Sequence, residues 1–172
     1  METLTTLKEL LAHQYEAALT TLGLCIDRCP EELWHGKVGN RSMCQVAFHT
    51  LFFADYYLGE NEAAQLEQAY HKERAAVFRD YEELQPRVPV LLYERGDVVD
   101  YLQFCLAKAE RTVMRESEEV LAGPCNFPRK SFSRAELHVY NIRHIQHHAA
   151  QMSLRLRLDA GVEIPWVRSR GE

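Results

Sequence analysis

At 172 residues, with 47% of them hydrophobic, the chain is long enough to bury roughly two-thirds of the surface it exposes when unfolded, and it needs no staples to fold. A net charge of −5 argues against nucleic-acid binding, which is driven by neutralising phosphate charge. The most apolar run, Leu51 to Leu58, is interrupted by Asp55 and falls far short of the roughly twenty residues of a membrane span.

Apolar residues recur at three- and four-residue spacing throughout, without clear alternating strands, so the expected class is all-α. A first long helix fits Leu4 to Ile26, with Leu4, Leu7, Leu11, Tyr15, Ala18 and Leu22 on one stripe and Pro30 marking its exit. A second starts near Ser42, where Ser42 and Gln45 form a capping-box pattern, and ends near Gly59. Between about Glu60 and Gly96 lies a polar excursion, part-helical over Glu62 to Glu83 and broken by Pro86 and Pro89.

The third long helix fits Asp97 to about Leu121, carrying Val98, Leu102, Cys105, Leu106, Ala109 and Val113, with Gly123-Pro124 as its stop. The fourth opens on a second capping-box pattern, Ser133 with Glu136, and runs to Asp159-Ala160, with Gly161 placed to take a left-handed cap. Four helices with one long connection fit a four-helix bundle forming a single domain over residues 1–172. The apolar tail Ile164-Pro165-Trp166-Val167 is expected to pack back on the bundle, with coverage of a partner subunit as the alternative.

Five cysteines, Cys25, Cys29, Cys44, Cys105 and Cys125, with no signal peptide ahead of them, point to reduced thiols in a cytoplasmic protein. Cys25 and Cys29 sit one helical turn apart, as a soft-metal pair would, yet buried cysteine commonly behaves as a small hydrophobe. Asn40-Arg41-Ser42 matches a glycosylation sequon but is better taken as the turn leading into the second helix. The arginines Arg134, Arg143, Arg155, Arg157, Arg168 and Arg170 alternate with apolar and acidic residues, as on a solvated helix face.

The histidines carry the chemistry. His144 and His148 are four apart, so on a helix they stack on one face and two imidazoles converge. They form an edge strip with Gln151 and Arg155, beside the core stripe of Ile142, Ile145, Ala149, Met152 and Leu156, while His147 points toward solvent. His49 falls among Val46, Phe52, Phe53 and Tyr56, where a histidine needs a hydrogen-bonding partner or a metal. Three neutral imidazoles around one divalent ion would leave a fourth position open, the pattern of a catalytic site. From spacing alone this stands beside the plainer alternative of core and surface histidines.

Two segments, Gln45-Val46-Ala47-Phe48-His49-Thr50-Leu51 and His144-Ile145-Gln146-His147-His148-Ala149-Ala150-Gln151, together with the ending Ala160-Gly161-Val162-Glu163-Ile164-Pro165-Trp166, make the chain resemble the DinB/YfiT-like family of metal-binding four-helix-bundle proteins. The resemblance implies an up-down-down-up bundle, often a homodimer, with one ligand histidine in the second helix and two in the last, here His49, His144 and His148. It implies one divalent metal ion per chain, with zinc or nickel favoured and other Irving–Williams competitors open.

Because relatives include metal-dependent thiol transferases, the resemblance further implies transfer of a low-molecular-weight thiol to an electrophile, the thiol's own sulfur being the nucleophile, and no catalytic side chain is assigned. The alternatives are a non-catalytic metal-binding or stress-related ligand-binding protein and a metal-dependent hydrolase. The last lacks a visible base, since His-Glu-x-x-His is absent and Asp55 points away from His49. Phe52, Phe53 and Tyr56 could line a pocket beside the ion but are more simply core, and Gln151 and Arg155 could orient an anion, although an exposed salt bridge is the ordinary fate of such an arginine.

Overall fold

The computed structural model describes residues 2–79 and 81–168, and they are predominantly helical. Four long helices dominate: α1 (Glu2–Asp27), α3 (Met43–Leu58), α7 (Arg95–Arg115) and α9 (Arg134–Ala160). Between them lie α2 (Glu31–Trp34), α4 (Glu62–Glu67), α5 (Ala69–Glu73), α6 (Ala75–Phe78) and α8 (Glu118–Ala122), with a 3₁₀ turn at Glu82–Leu84. The expectation of no strands needs one small correction. β1 (Lys37–Val38) and β2 (Arg41–Ser42) pair antiparallel across Gly39-Asn40, where Gly39 takes φ +68°, a conformation only glycine adopts freely.

Contacts along the helices give their directions. Lys8 Nζ donates to the carbonyl of Met114 at 3.1 Å at one end, and at the other a Cβ on Gly23 would fall 2.9 Å from Leu102, so α1 and α7 run antiparallel and in close approach. Tyr15 meets His138 and Cys25 meets the carbonyl of Ala149, so α1 and α9 run parallel. Phe48 packs on Tyr101, and Lys108 Nζ donates to the carbonyl of Asp55 at 3.2 Å, so α3 and α7 are also parallel. Asn141 Nδ2 donates to the carbonyl of Ala54 at 2.9 Å and Arg134 reaches Leu58, which sets α3 and α9 antiparallel. A parallel neighbour requires the chain to travel back along about 24 Å of helix, which is why so long an excursion separates α3 from α7.

One apolar cluster joins all four, through Leu11, Leu19, Leu22, Leu51, Phe52, Val98, Leu102, Leu137, Ile145 and Met152 among others. The Ser42–Gln45 capping box forms as expected, with both the Ser42 hydroxyl and the Gln45 side chain satisfying first-turn N–H groups. Gly161 takes φ +65° and closes α9.

The third long helix stops at Arg115 rather than near Leu121. Glu116 turns extended so that its carboxylate can accept from Arg134 Nε at 2.8 Å and from His138 Nε2 at 2.8 Å, and Ser117 then caps the separate helix α8. Arg134 likewise departs from the solvated-face expectation: it is buried, and its guanidinium donates to the carbonyls of Tyr57, Leu58 and Gly59, the orphan acceptors at the end of α3. Arg143, Arg157 and Arg168 are exposed, while Arg170 lies outside the described residues. The tail is corrected in part: Val162 and Ile164 pack on the core, but Trp166 is 81% exposed.

Candidate metal centre

Helix periodicity sets two of the three histidines on one face of α9, and the antiparallel crossing with α3 brings His49 opposite them. One ring nitrogen from each of His49, His144 and His148 lies within 4.8 Å of the others, and among the described residues no other group of three or more His, Cys, Asp or Glu converges in this way. The ring centroids are 4.9 Å apart for His49 and His148, 5.5 Å for His49 and His144, and 4.7 Å for His144 and His148. Phe53 packs its ring against both His49 and His144, so one side of the cluster is apolar.

Two of the rings are oriented from behind. His49 Nδ1 donates to Glu83 Oε2 at 2.6 Å, which leaves Nε2 with a free lone pair. Glu83 comes from the 3₁₀ turn of the excursion, is buried, and is itself held by Arg41 Nη1 at 2.9 Å. The β1–β2 hairpin delivers that arginine. On α9, His148 Nδ1 donates to Gln151 Oε1 at 2.9 Å, and the Gln151 amide donates onward to His147 Nε2 at 3.0 Å. His148 Nε2 is left as the available donor atom by the same logic.

Burial, reinforced by the neighbouring His148 and His49, holds His144 down at about 3. Burial also drives His148 down to about 4, against the hydrogen bond to Gln151 that works upward. Both are therefore neutral imidazoles near pH 7, the form that ligates metals. His144 Nδ1 is buried with no hydrogen-bond partner, a cost of about 1–3 kcal/mol that protein contacts leave uncompensated. An all-nitrogen donor set with two rings locked by outward hydrogen bonds fits a borderline divalent cation such as zinc or nickel.

A cleft of about 430 Å³ opens beside His49 and His148 with Arg41, Gln151 and Arg155 on its wall, and a second of about 560 Å³ lies against His144 and His147. Arg155 pairs with Asp159 at 2.5 Å, the ordinary fate expected for it, and Gln151 positions His148 rather than standing free for an anion. Phe52 and Tyr56 are buried core residues, and Tyr56 donates to Glu62 at 2.5 Å. All five cysteines are buried free thiols, and burial pushes Cys25 up to about 12, which suits a small hydrophobe and not a soft-metal ligand. Asp55 points away from His49, as expected from its helix position, and is buried where it accepts from Tyr101 and His71 at 2.8 Å each.

Glu83 and Arg41 are the residues that sequence reasoning missed. Their partners are 34 and 42 positions away along the chain, and a glutamate in a polar excursion carries no local signal of such a role.

Taken together, a helical protein whose two crossing helices bring three histidines to a common point defines a class of metal-associated helical proteins. The chain belongs to the DinB superfamily, whose sequence profile matches residues 13–152. No curated protein and no solved structure matches the sequence.

Proposed function

We propose that the four long helices are the up-down-down-up four-helix bundle of this superfamily, forming one domain over residues 1–172, and that His49, His144 and His148 hold one divalent ion, zinc or nickel, for a cytoplasmic thiol transferase. What carries the metal assignment is that the three ring nitrogens converge within 4.8 Å while Glu83 and Gln151 take up the opposite nitrogens of two of the rings. A divalent ion held there supplies a Lewis acid that favours the deprotonated, nucleophilic form of a sulfur ligand near neutral pH.

The chain's own residues do the rest. Glu83 and Gln151 fix tautomer and orientation, Phe53 keeps water from one flank, and Arg41 balances the carboxylate that grips His49. The thiol's proton goes to solvent, its sulfur forms the new bond to the electrophile, and the leaving group departs with its electron pair. No protein nucleophile is needed, in keeping with five buried cysteines. Glu83 is a carboxylate in contact with the cluster, but its side chain is 1% exposed and already accepts from His49 and Arg41, so it is poorly placed to activate water, and the hydrolase alternative is correspondingly weaker.

Metal-loaded protein incubated with a panel of low-molecular-weight thiols and a haloaromatic electrophile should form the thioether, and His49→Ala should not. Tight thiol binding without turnover would replace the transferase with a ligand-binding protein, and conjugation undiminished by His49→Ala would remove the site from the reaction.

A further inference from the structure

A groove larger than either cleft beside the histidines lies away from them. It has a volume of about 890 Å³ and begins at Leu58, nine residues beyond His49 along α3 and so about 13 Å further down that helix. The size is that of a site for a small organic molecule. Its wall combines two chemistries.

One is apolar. Tyr70 of α5 stacks on Phe104 of α7 with ring centroids 3.9 Å apart, and Leu58 and Val120 continue the surface. The other is cationic. Four basic side chains against two acidic ones line the groove, in a chain whose net charge is −5. Two of the four are already spoken for: Lys108 by the Asp55 carboxylate, its backbone carbonyl and Gln65, and Arg134 by Glu116 and the end of α3. Arg111 and Arg115, one turn apart on α7 and exposed, form no ion pair with any described residue.

We propose that this groove is a second binding site, independent of the metal centre, for a small organic anion: a single carboxylate or phosphate head group on an apolar body. The head group would lie between Arg111 and Arg115, whose spacing of one turn matches bidentate capture of an oxyanion, and the body would lie along Tyr70 and Phe104. Burying the apolar body against the aromatic pair supplies affinity, and the two guanidinium groups select charge.

Calorimetric titration of the metal-loaded chain with octanoate, octyl phosphate and octanol tests this. One octanoate or octyl phosphate should bind per chain, octanol at least about tenfold more weakly, and comparison of the two acids shows which head group the site prefers. The double substitution Arg111→Glu with Arg115→Glu should weaken binding tenfold or more, Ala69→Trp should block the groove, and His148→Ala should leave binding unchanged. Octanol binding as tightly as the acids, no saturable binding of either acid, binding indifferent to the double substitution, or loss on His148→Ala would each overturn the proposal. Because the readout is ligand affinity and not metal content, its failure leaves the metal assignment standing.

Discussion

At the scale of single residues, the centre depends on where protons sit on imidazole rings. A histidine can present either nitrogen, and the one it presents is set by what the other is bonded to. Glu83 makes that choice for His49 and Gln151 makes it for His148, at 2.6 and 2.9 Å. Glu83→Gln keeps an acceptor oxygen but discards the charge behind the ring and weakens the hydrogen bond that orients it. It should therefore weaken metal binding by about ten- to a hundredfold with the fold intact, as competition against a chromogenic chelator and far-ultraviolet circular dichroism would show together. Gln151→Ala should cost less, because the His148 Nδ1–H it releases lies near the surface and water can replace the amide.

Among the elements, α3 does the most. It carries His49 and packs against α7 and α9, and both of its ends are secured: the Ser42–Gln45 box at the start and the Arg134 guanidinium over three carbonyls at the finish. Ser42→Ala should lower stability by about 1 kcal/mol, the usual worth of an N-cap. Arg134→Ala removes a buried ion's partner as well as the cap, leaving Glu116 without its guanidinium, and should lower stability by about 3–5 kcal/mol in urea unfolding.

The contrast between these two ends explains what could be seen in advance. Ser42 and Gln45 are three residues apart and Gly161 directly follows its helix, so the start of α3 and the end of α9 were legible in the sequence. The early stop of α7 at Arg115 was not, because Glu116 leaves the helix to meet Arg134 and His138, 18 and 22 positions later. In the site, the histidines were legible because i, i+4 spacing is local geometry, whereas the Arg41–Glu83–His49 chain joins a hairpin, a 3₁₀ turn and a helix that meet only in the folded molecule. The tail was half legible: Ile164 finds the core, and Trp166 stays in solvent.

Across the whole molecule, buried charge makes stability depend on pH. Burial alone would raise the Asp55 carboxyl, but hydrogen bonds from His71 and Lys108 and their charges outweigh it and hold the group below its usual range. Glu116 is likewise held low, its burial outweighed by His138 and Arg134. A carboxylate whose folded pKa is depressed contributes stability that is fully present above the unfolded value, about 4, and is lost as pH falls through the folded one. Urea midpoints should therefore decline as pH drops below about 4, and Asp55→Asn should flatten that decline while lowering stability at pH 7, because it leaves Lys108 without its counter-charge.

Metal binding enters the same balance. An ion that binds only the folded state, at a hundred times its dissociation constant, adds about 2.7 kcal/mol, which in a chain of this size raises Tm by roughly 5–10 °C and is reversed by chelation.

The most direct test is the metal content of the purified chain and of His49→Ala, His144→Ala and His148→Ala, measured by mass spectrometry after loading with zinc or nickel and desalting. The account predicts one ion per chain in the wild type and loss of it in each of the three variants, with helical content retained. An ion kept in full by any one of these variants, or a wild-type chain that holds none, would contradict it.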